Sequence, residues 1–163
     1  MISRFLWAVL ALGFVAICSA SEGFIHPGLL HSREDIARMN AGVARGDGPI
    51  HDGFEMLVKS PYSKADYRMR GPVEEWGRAP NINTGQAQED AMGAYQNALM
   101  WAITGRKPHA AKAIEILNAW AGRLKKVSGI DGVLASGLQG FKFVNAAELI
   151  RYTEAGWTEA EAR

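Results

Sequence analysis

The chain has 163 residues, of which 48% are hydrophobic and 21% are charged, a composition typical of a globular protein. Lysine and arginine number 18 and aspartate and glutamate 17, so the formal net charge is only +1. This balance gives no overall attraction to nucleic acid, and one cysteine excludes an intramolecular disulfide framework. The length allows a single domain.

The first twenty residues have the layout of a secretory signal peptide. A basic start with Arg4 precedes an apolar run at residues 5–18, and Ala20 is the small residue after which we expect cleavage. The run is short for a membrane span, which takes ~20 residues, so an uncleaved anchor is the lesser alternative. Residues 21–163 would then form the mature chain, with no net charge, in the periplasm or outside the cell.

Two short helices are predicted next. Ser32 is a typical N-cap residue before an amphipathic segment that Gly46 ends, and Pro49 suits the first turn of a second helix that contains Phe54 and Leu57.

Residues 60–82 follow neither the helical nor the strand period, and we predict a long loop that acts as a lid or binding loop. Its rings alternate with cations, and Tyr67, Arg68 and Arg70 are our candidates for contacting a substrate. Guanidinium groups bind carboxylates through paired hydrogen bonds, and aromatic rings stack on sugars. The alternative is an ordinary loop in which these arginines pair with Glu74 or Glu75.

An α-helical hairpin is predicted for residues 83–126, with a break at residues 105–108. Alanines recur at helical spacing in the first helix, which allows a neighbouring helix to approach closely: Ala87, Ala91, Ala94, Ala98 and Ala102. We expect the second helix to extend to Lys126, because the negative end of the helix dipole stabilises cations there, and we expect Gly129 to end it.

The polar side of the first hairpin helix carries Gln86, Asp90 and Asn97 beside Trp101. Amides and a carboxylate next to an aromatic ring could bind sugar hydroxyls. The alternative, equally weighted, is a solvated or interhelical polar face.

A further helix is predicted for residues 133–150, with Leu134, Leu138, Phe141, Asn145 and Leu149 on one face. Gln139, Lys142 and Asn145 form the third group of candidate binding residues. The alternatives are that Lys142 extends to solvent and that Asn145 makes a structural hydrogen bond.

Near the end, Thr158 and Glu161 match a capping box that would start another helix. We therefore interpret the sequence as the N-terminal portion of a longer protein. The four histidines lack metal-ligand spacing, and no nucleotide motif is present, so we predict neither a metal nor a cofactor.

Three segments in this order resemble the alginate-lyase family of polysaccharide lyases: HPGLLHSREDIARM, the hairpin AYQNALMWAITG…HAAKAIEILNAW, and GLQGFKFVNAAELIRYTEAGW. The resemblance implies an all-α fold, an incomplete α/α toroid of helical hairpins, with a mobile lid that corresponds to residues 60–82. It also implies β-elimination on an anionic polysaccharide, a polyuronate. The catalytic Asn-His pair and tyrosine would lie beyond Arg163, so this part alone is expected to be inactive.

Two other functions stay open. One is a non-catalytic helical carbohydrate-binding or scaffold protein. The other is a glycoside hydrolase on the same toroid, which needs two carboxylates, and Asp90 is the one candidate for either of them.

Overall fold

The computed structural model describes residues 23–162; the predicted signal peptide lies outside them. The described chain is mostly helical, which confirms the all-α class at that level, while closure into a toroid stays a prediction. Its elements are α1 (Arg33–Arg45), α2 (Gly48–Lys59), β1 (Glu75–Gly77), α3 (Thr84–Thr104), α4 (Lys107–Arg123), β2 (Lys126–Ser128), α5 (Gly132–Ala135) and α6 (Phe141–Tyr152). A 3₁₀ turn at Pro61–Ser63 and a π-helical turn at Ser136–Gly140 complete them. Among these residues no helix is both long and apolar enough to cross a bilayer.

Helix α1 begins where the sequence predicts. The Ser32 hydroxyl accepts from the Asp35 N–H at 3.1 Å, and the Asp35 carboxylate accepts from the Ser32 N–H at 3.0 Å. This reciprocal capping box satisfies two backbone donors that the first turn leaves open. Gly46 ends the helix in the left-handed region at φ 77°, as predicted.

Helix α3 is the centre of the packing. Its alanines Ala87, Ala91, Ala94 and Ala98 have no exposed surface, and α4 and α6 both pack closely against α3. The core between the helices includes Ile116, Trp120, Leu149 and Ile150. Full burial of one such aliphatic side chain stabilises the fold by about 1.5–3 kcal/mol. The predicted hairpin is confirmed, with its break at Gly105.

The end of α4 differs from the prediction. The helix stops at Arg123, and Leu124 takes an extended conformation with ψ 126°. Lys126 is therefore in β2, which pairs in parallel with β1 through Trp76 and Val127 at its centre. Each strand has three residues, too few for an alternating pattern to stand out in the sequence.

The helix predicted at residues 133–150 is interrupted. The π-helical turn separates α5 from α6, and each π turn rotates the following residues relative to an α-helical register. The predicted single apolar face is wrong: Leu134, Leu138 and Phe141 are exposed, whereas Asn145 and Leu149 are buried.

Candidate functional site

The carboxylate of Asp90 is a buried junction between the long loop and the hairpin. Its Oδ1 accepts from the Tyr67 hydroxyl and the Arg70 backbone N–H, both at 2.8 Å. Its Oδ2 accepts from the Gly71 N–H and the Trp120 indole N–H, also at 2.8 Å. Four donors thus surround a charge with no exposed surface, and such bonds to an ionised group are the stronger kind.

This environment corrects two candidate roles. Asp90 has no surface open to a ligand in the described structure, so it holds the loop in place rather than binding sugar. The Tyr67 hydroxyl is used by the same bond, and its ring lies on Gly93, where an added Cβ would come within 2.6 Å. Burial, and then the bond to Asp90, raise the pKa of Tyr67, so the phenol keeps its proton and remains a donor.

The two loop arginines remain on the surface. Arg68 is exposed and forms no ion pair within residues 23–162, whereas Arg70 binds the Glu89 carboxylate at 2.9 Å. The alternative pairing of these arginines with Glu74 or Glu75 is wrong, because both glutamates bind basic residues near the end of α4 and in β2. Arg68 is therefore the loop cation most available to an anionic ligand.

Asn97, another candidate, is at the centre of a second buried junction. Its Nδ2 donates to the carbonyls of Tyr62 at 3.0 Å, Lys64 at 3.2 Å and Gly93 at 3.0 Å. Its Oδ1 accepts from Nδ1 of His109 at 2.8 Å, and Asn97 has no exposed surface. The interhelical alternative is thus correct for Asn97.

Sequence reasoning missed His109. It is nearly buried in the first turn of α4, and burial first, then the charges of Arg106 and Lys64, lower its pKa. The sequence offered one indication of this contact. His109 follows Asn97 by 12 residues across the break at Gly105, and two helices that pack as a hairpin bring such positions together.

The remaining polar side of α3 does not form one surface. Gln86 is half-buried in the first turn, and its amide lies 3.5 Å from the Asn83 side chain, so its role in binding stays a prediction. The Trp101 indole instead donates to the Thr153 hydroxyl at 2.8 Å, beyond the end of α6.

The third candidate group is bonded within its own helix. Lys142 donates to Gln139 Oε1 at 2.8 Å and to the Leu138 carbonyl at 2.6 Å, and burial lowers its pKa. Gln139 is buried. Asn145 donates to the Phe141 carbonyl at 2.7 Å, which supports its structural alternative.

Helix α6 also anchors the segment before α1, which sequence reasoning did not foresee. Oδ1 of Asn145 accepts from the Leu30 N–H at 2.9 Å, and the Glu148 carboxylate contacts His26 Nδ1 at 2.7 Å. The His26 ring stacks on Tyr152 with centroids 3.9 Å apart. Asn145 is therefore used to position residues 26–30, and this contact corrects its assignment as a binding residue.

An aromatic groove of about 460 Å³ lies between α4 and α6, lined by Trp76, Trp120, Phe143 and Trp157 among others. Its lining is almost entirely apolar, so it lacks the donors and acceptors that sugar hydroxyls need.

In the part of the chain that the structure describes, no three His, Cys, Asp or Glu side chains are grouped as metal ligands. Comparisons with family models, with curated proteins and with solved structures gave no match.

Proposed function

We propose that the protein is part of an exported polysaccharide lyase that cleaves a uronic-acid polymer such as alginate by β-elimination. Two things support this proposal: the resemblance of the three sequence segments to the alginate-lyase family, and the placement of the arginines on the long loop. The second is the observation that carries most weight, because it concerns the contact with the substrate's charge.

Along residues 67–70 the side chains are alternately partly buried and exposed. Tyr67 and Met69 are partly buried against the core, while Arg68 and Arg70 are exposed. Asp90 holds this segment through the Tyr67 hydroxyl and the Arg70 N–H, and the exposed side chains of Arg68 and Arg70, the second paired with Glu89, give the loop a basic edge. A polymer with a carboxylate on every unit would match that edge.

In β-elimination the C5–H bond and the C4–O4 bond break, and a C4–C5 double bond forms. A cation that neutralises the uronate carboxylate makes the C5 proton more acidic, a base removes it, and an acid protonates O4. Arg68 and Arg70 would serve the first requirement only. The base and the acid are those that the resemblance places beyond Arg163.

The structure is less compatible with a glycoside hydrolase than with a non-catalytic carbohydrate-binding protein. A glycoside hydrolase would need an accessible carboxylate pair, and Asp90, its candidate, is enclosed by four donors. A non-catalytic carbohydrate-binding protein remains compatible with the arginine edge.

Native electrophoresis through gels that contain alginate, polyglucuronate or a neutral glucan tests the proposal. We expect the acidic polymers to retard the protein and the neutral glucan to leave its mobility unchanged. Equal mobility in all gels would contradict the proposal. A longer protein that includes the residues after Arg163 should also generate the ultraviolet absorbance of an unsaturated uronate. Retardation without that absorbance would favour the binding-protein alternative.

A further inference from the structure

A polar pocket lies apart from the aromatic groove and shares no lining residue with it. It has a volume of about 270 Å³ and lies among the end of α2, the turn at residues 63–66 and the first turn of α4. His109 lines its interior, and Lys64, Asp66 and Arg106 are exposed around it.

The hydrogen bonds of Asn97 determine which nitrogen of His109 carries the proton. The Asn97 amide nitrogen faces three carbonyls, so its oxygen must be the atom that faces His109. An amide oxygen only accepts, and therefore Nδ1 of His109 is the donor. In the neutral ring Nε2 then carries a lone pair and no hydrogen.

That lone pair has no partner within residues 23–162. His109 is only 5% exposed, and its recorded hydrogen bond is the one at Nδ1. The described side-chain polar atoms that are sealed in the interior without a partner are Trp76 Nε1 and Gln96 Oε1. Nε2 of His109 is therefore accessible from the pocket, where a bound ligand can donate a hydrogen bond to it.

The surroundings of Nε2 favour an anion. Neither Arg106 nor Lys64 forms an ion pair with an acidic side chain of the described chain, and Lys64 donates one bond, to the Val58 carbonyl. Asp66 supplies one negative charge against these two positive ones. Arg106 also precedes the first turn of α4, where the helix dipole adds a partial positive charge.

We propose that this pocket binds a small hydroxylated anion, whose hydroxyl donates to Nε2 of His109 and whose charged group contacts Arg106 and Lys64. The charged group is the carboxylate of a sugar acid or the phosphate of a sugar phosphate. Sulfate has no hydroxyl at neutral pH, so it leaves Nε2 unsatisfied, and a neutral sugar leaves the cations unpaired. The proposal does not depend on lyase activity or on the arginines of the long loop.

Histidine-selective nitrogen NMR of the full chain at neutral pH provides the test. The free protein should show Nε2 of His109 without a proton. Glucuronate or glucose 6-phosphate should shift that resonance, and whichever binds identifies the carboxylate or the phosphate source. Glucose and sulfate should bind at least about tenfold more weakly, because each loses one of the two contacts.

Two variants separate ligand binding from folding. His109→Asn keeps a donor for Asn97 but removes the Nε2 acceptor, and we expect about tenfold weaker binding of the ligand by calorimetry. Arg106→Gln changes an exposed side chain and should weaken binding about fivefold with an unchanged fold. Arg123→Gln, at the opposite end of α4, is the matched control and should have no effect.

A proton on Nε2 in the free protein would overturn the proposal. So would equal binding of sulfate and glucose 6-phosphate, or no shift with either hydroxylated anion. If His109→Asn fails to fold, Arg106→Gln still decides, because unchanged affinity in that variant contradicts the assigned contact.

Discussion

The indole N–H of Trp120 donates to Oδ2 of Asp90 at 2.8 Å, and this bond joins the interior of α4 to the interior of α3. The same carboxylate oxygen accepts from the Gly71 N–H of the loop. One buried charge thus fixes three segments at once. A packing contact between apolar groups could not do this, because it has no directional requirement.

Replacing Asp90 with asparagine should lower the free energy of unfolding by about 2–4 kcal/mol. All four partners are donors, so the new amide N–H₂ would face donors where the carboxylate oxygen now accepts. Urea unfolding followed by tryptophan fluorescence measures the change. Glu89→Gln, one residue earlier on α3, removes only an exposed ion pair and should change stability by less than about 1 kcal/mol. Equal effects of the two substitutions would contradict the structural role of Asp90.

Acid should destabilise the protein before its carboxylates titrate. Burial lowers the pKa of His109 and of His31 below 6.5, so the folded state favours the neutral rings. Below that pH the unfolded chain binds more protons than the folded one. The free energy of unfolding should therefore fall as the pH drops below about 6.5, and the stabilisation by the neutral rings is fully present above that pH. Urea titrations at several pH values measure the slope, and His109→Asn should reduce it; a flat profile would contradict the burial effect.

Gly129 should not tolerate alanine. Its φ is +89°, and an added Cβ would lie 1.9 Å from the Arg78 carbonyl oxygen, so both the backbone conformation and the contact exclude a side chain. We expect Gly129→Ala to cost at least about 2 kcal/mol of stability. Gly137→Ala is the matched control: nothing lies within 4 Å of the added Cβ, and alanine favours helix by about 1 kcal/mol. Thermal melts of both variants should move in opposite directions, and a shared direction would refute the prediction.

Arg68→Ala and Arg70→Ala should weaken polyuronate binding by about 1–2 kcal/mol each, or roughly 5- to 30-fold. Because both side chains are exposed, added salt should shrink the loss and the melting temperature should hardly change. Arg123→Ala is a close control, since Arg123 is 58% exposed like Arg70 and also pairs with one glutamate. Affinity electrophoresis at two salt concentrations measures the effect, and loss of binding in all three variants would point to general charge attraction.

The sequence was sufficient to predict elements whose cause is local. Ser32 was predicted as the N-cap of α1, and the alanines of α3 recur at the helical period. The π-helical turn at Ser136–Gly140 was not predictable in this way, since its residues are compatible with an ordinary helix. Leu138, within this turn, is exposed.

The candidate site was only partly predictable for a related reason. Asp90 and Asn97 were recognised as unusual on a helix, but their partners are distant in the chain: Tyr67 is 23 residues from Asp90, and Tyr62 is 35 from Asn97. When those partners are unknown, a polar residue that binds a ligand and one whose hydrogen bonds are made inside the fold have the same sequence pattern. The exposure of Arg68 could be predicted without knowing any distant contact, and its position on the surface agrees with the prediction.

The parallel pairing of β1 with β2 has a consequence for the order of folding. Glu75 aligns with Lys126, and the intervening chain contains the whole of α3 and α4. Two strands this short cannot pair by themselves in water. Their backbone bonds can persist only after the hairpin has brought its two ends together, so they form late and open first. Amide protons of this strand pair should thus exchange with solvent sooner than those of α3. Their exchange rate therefore measures how often the two ends of the hairpin separate.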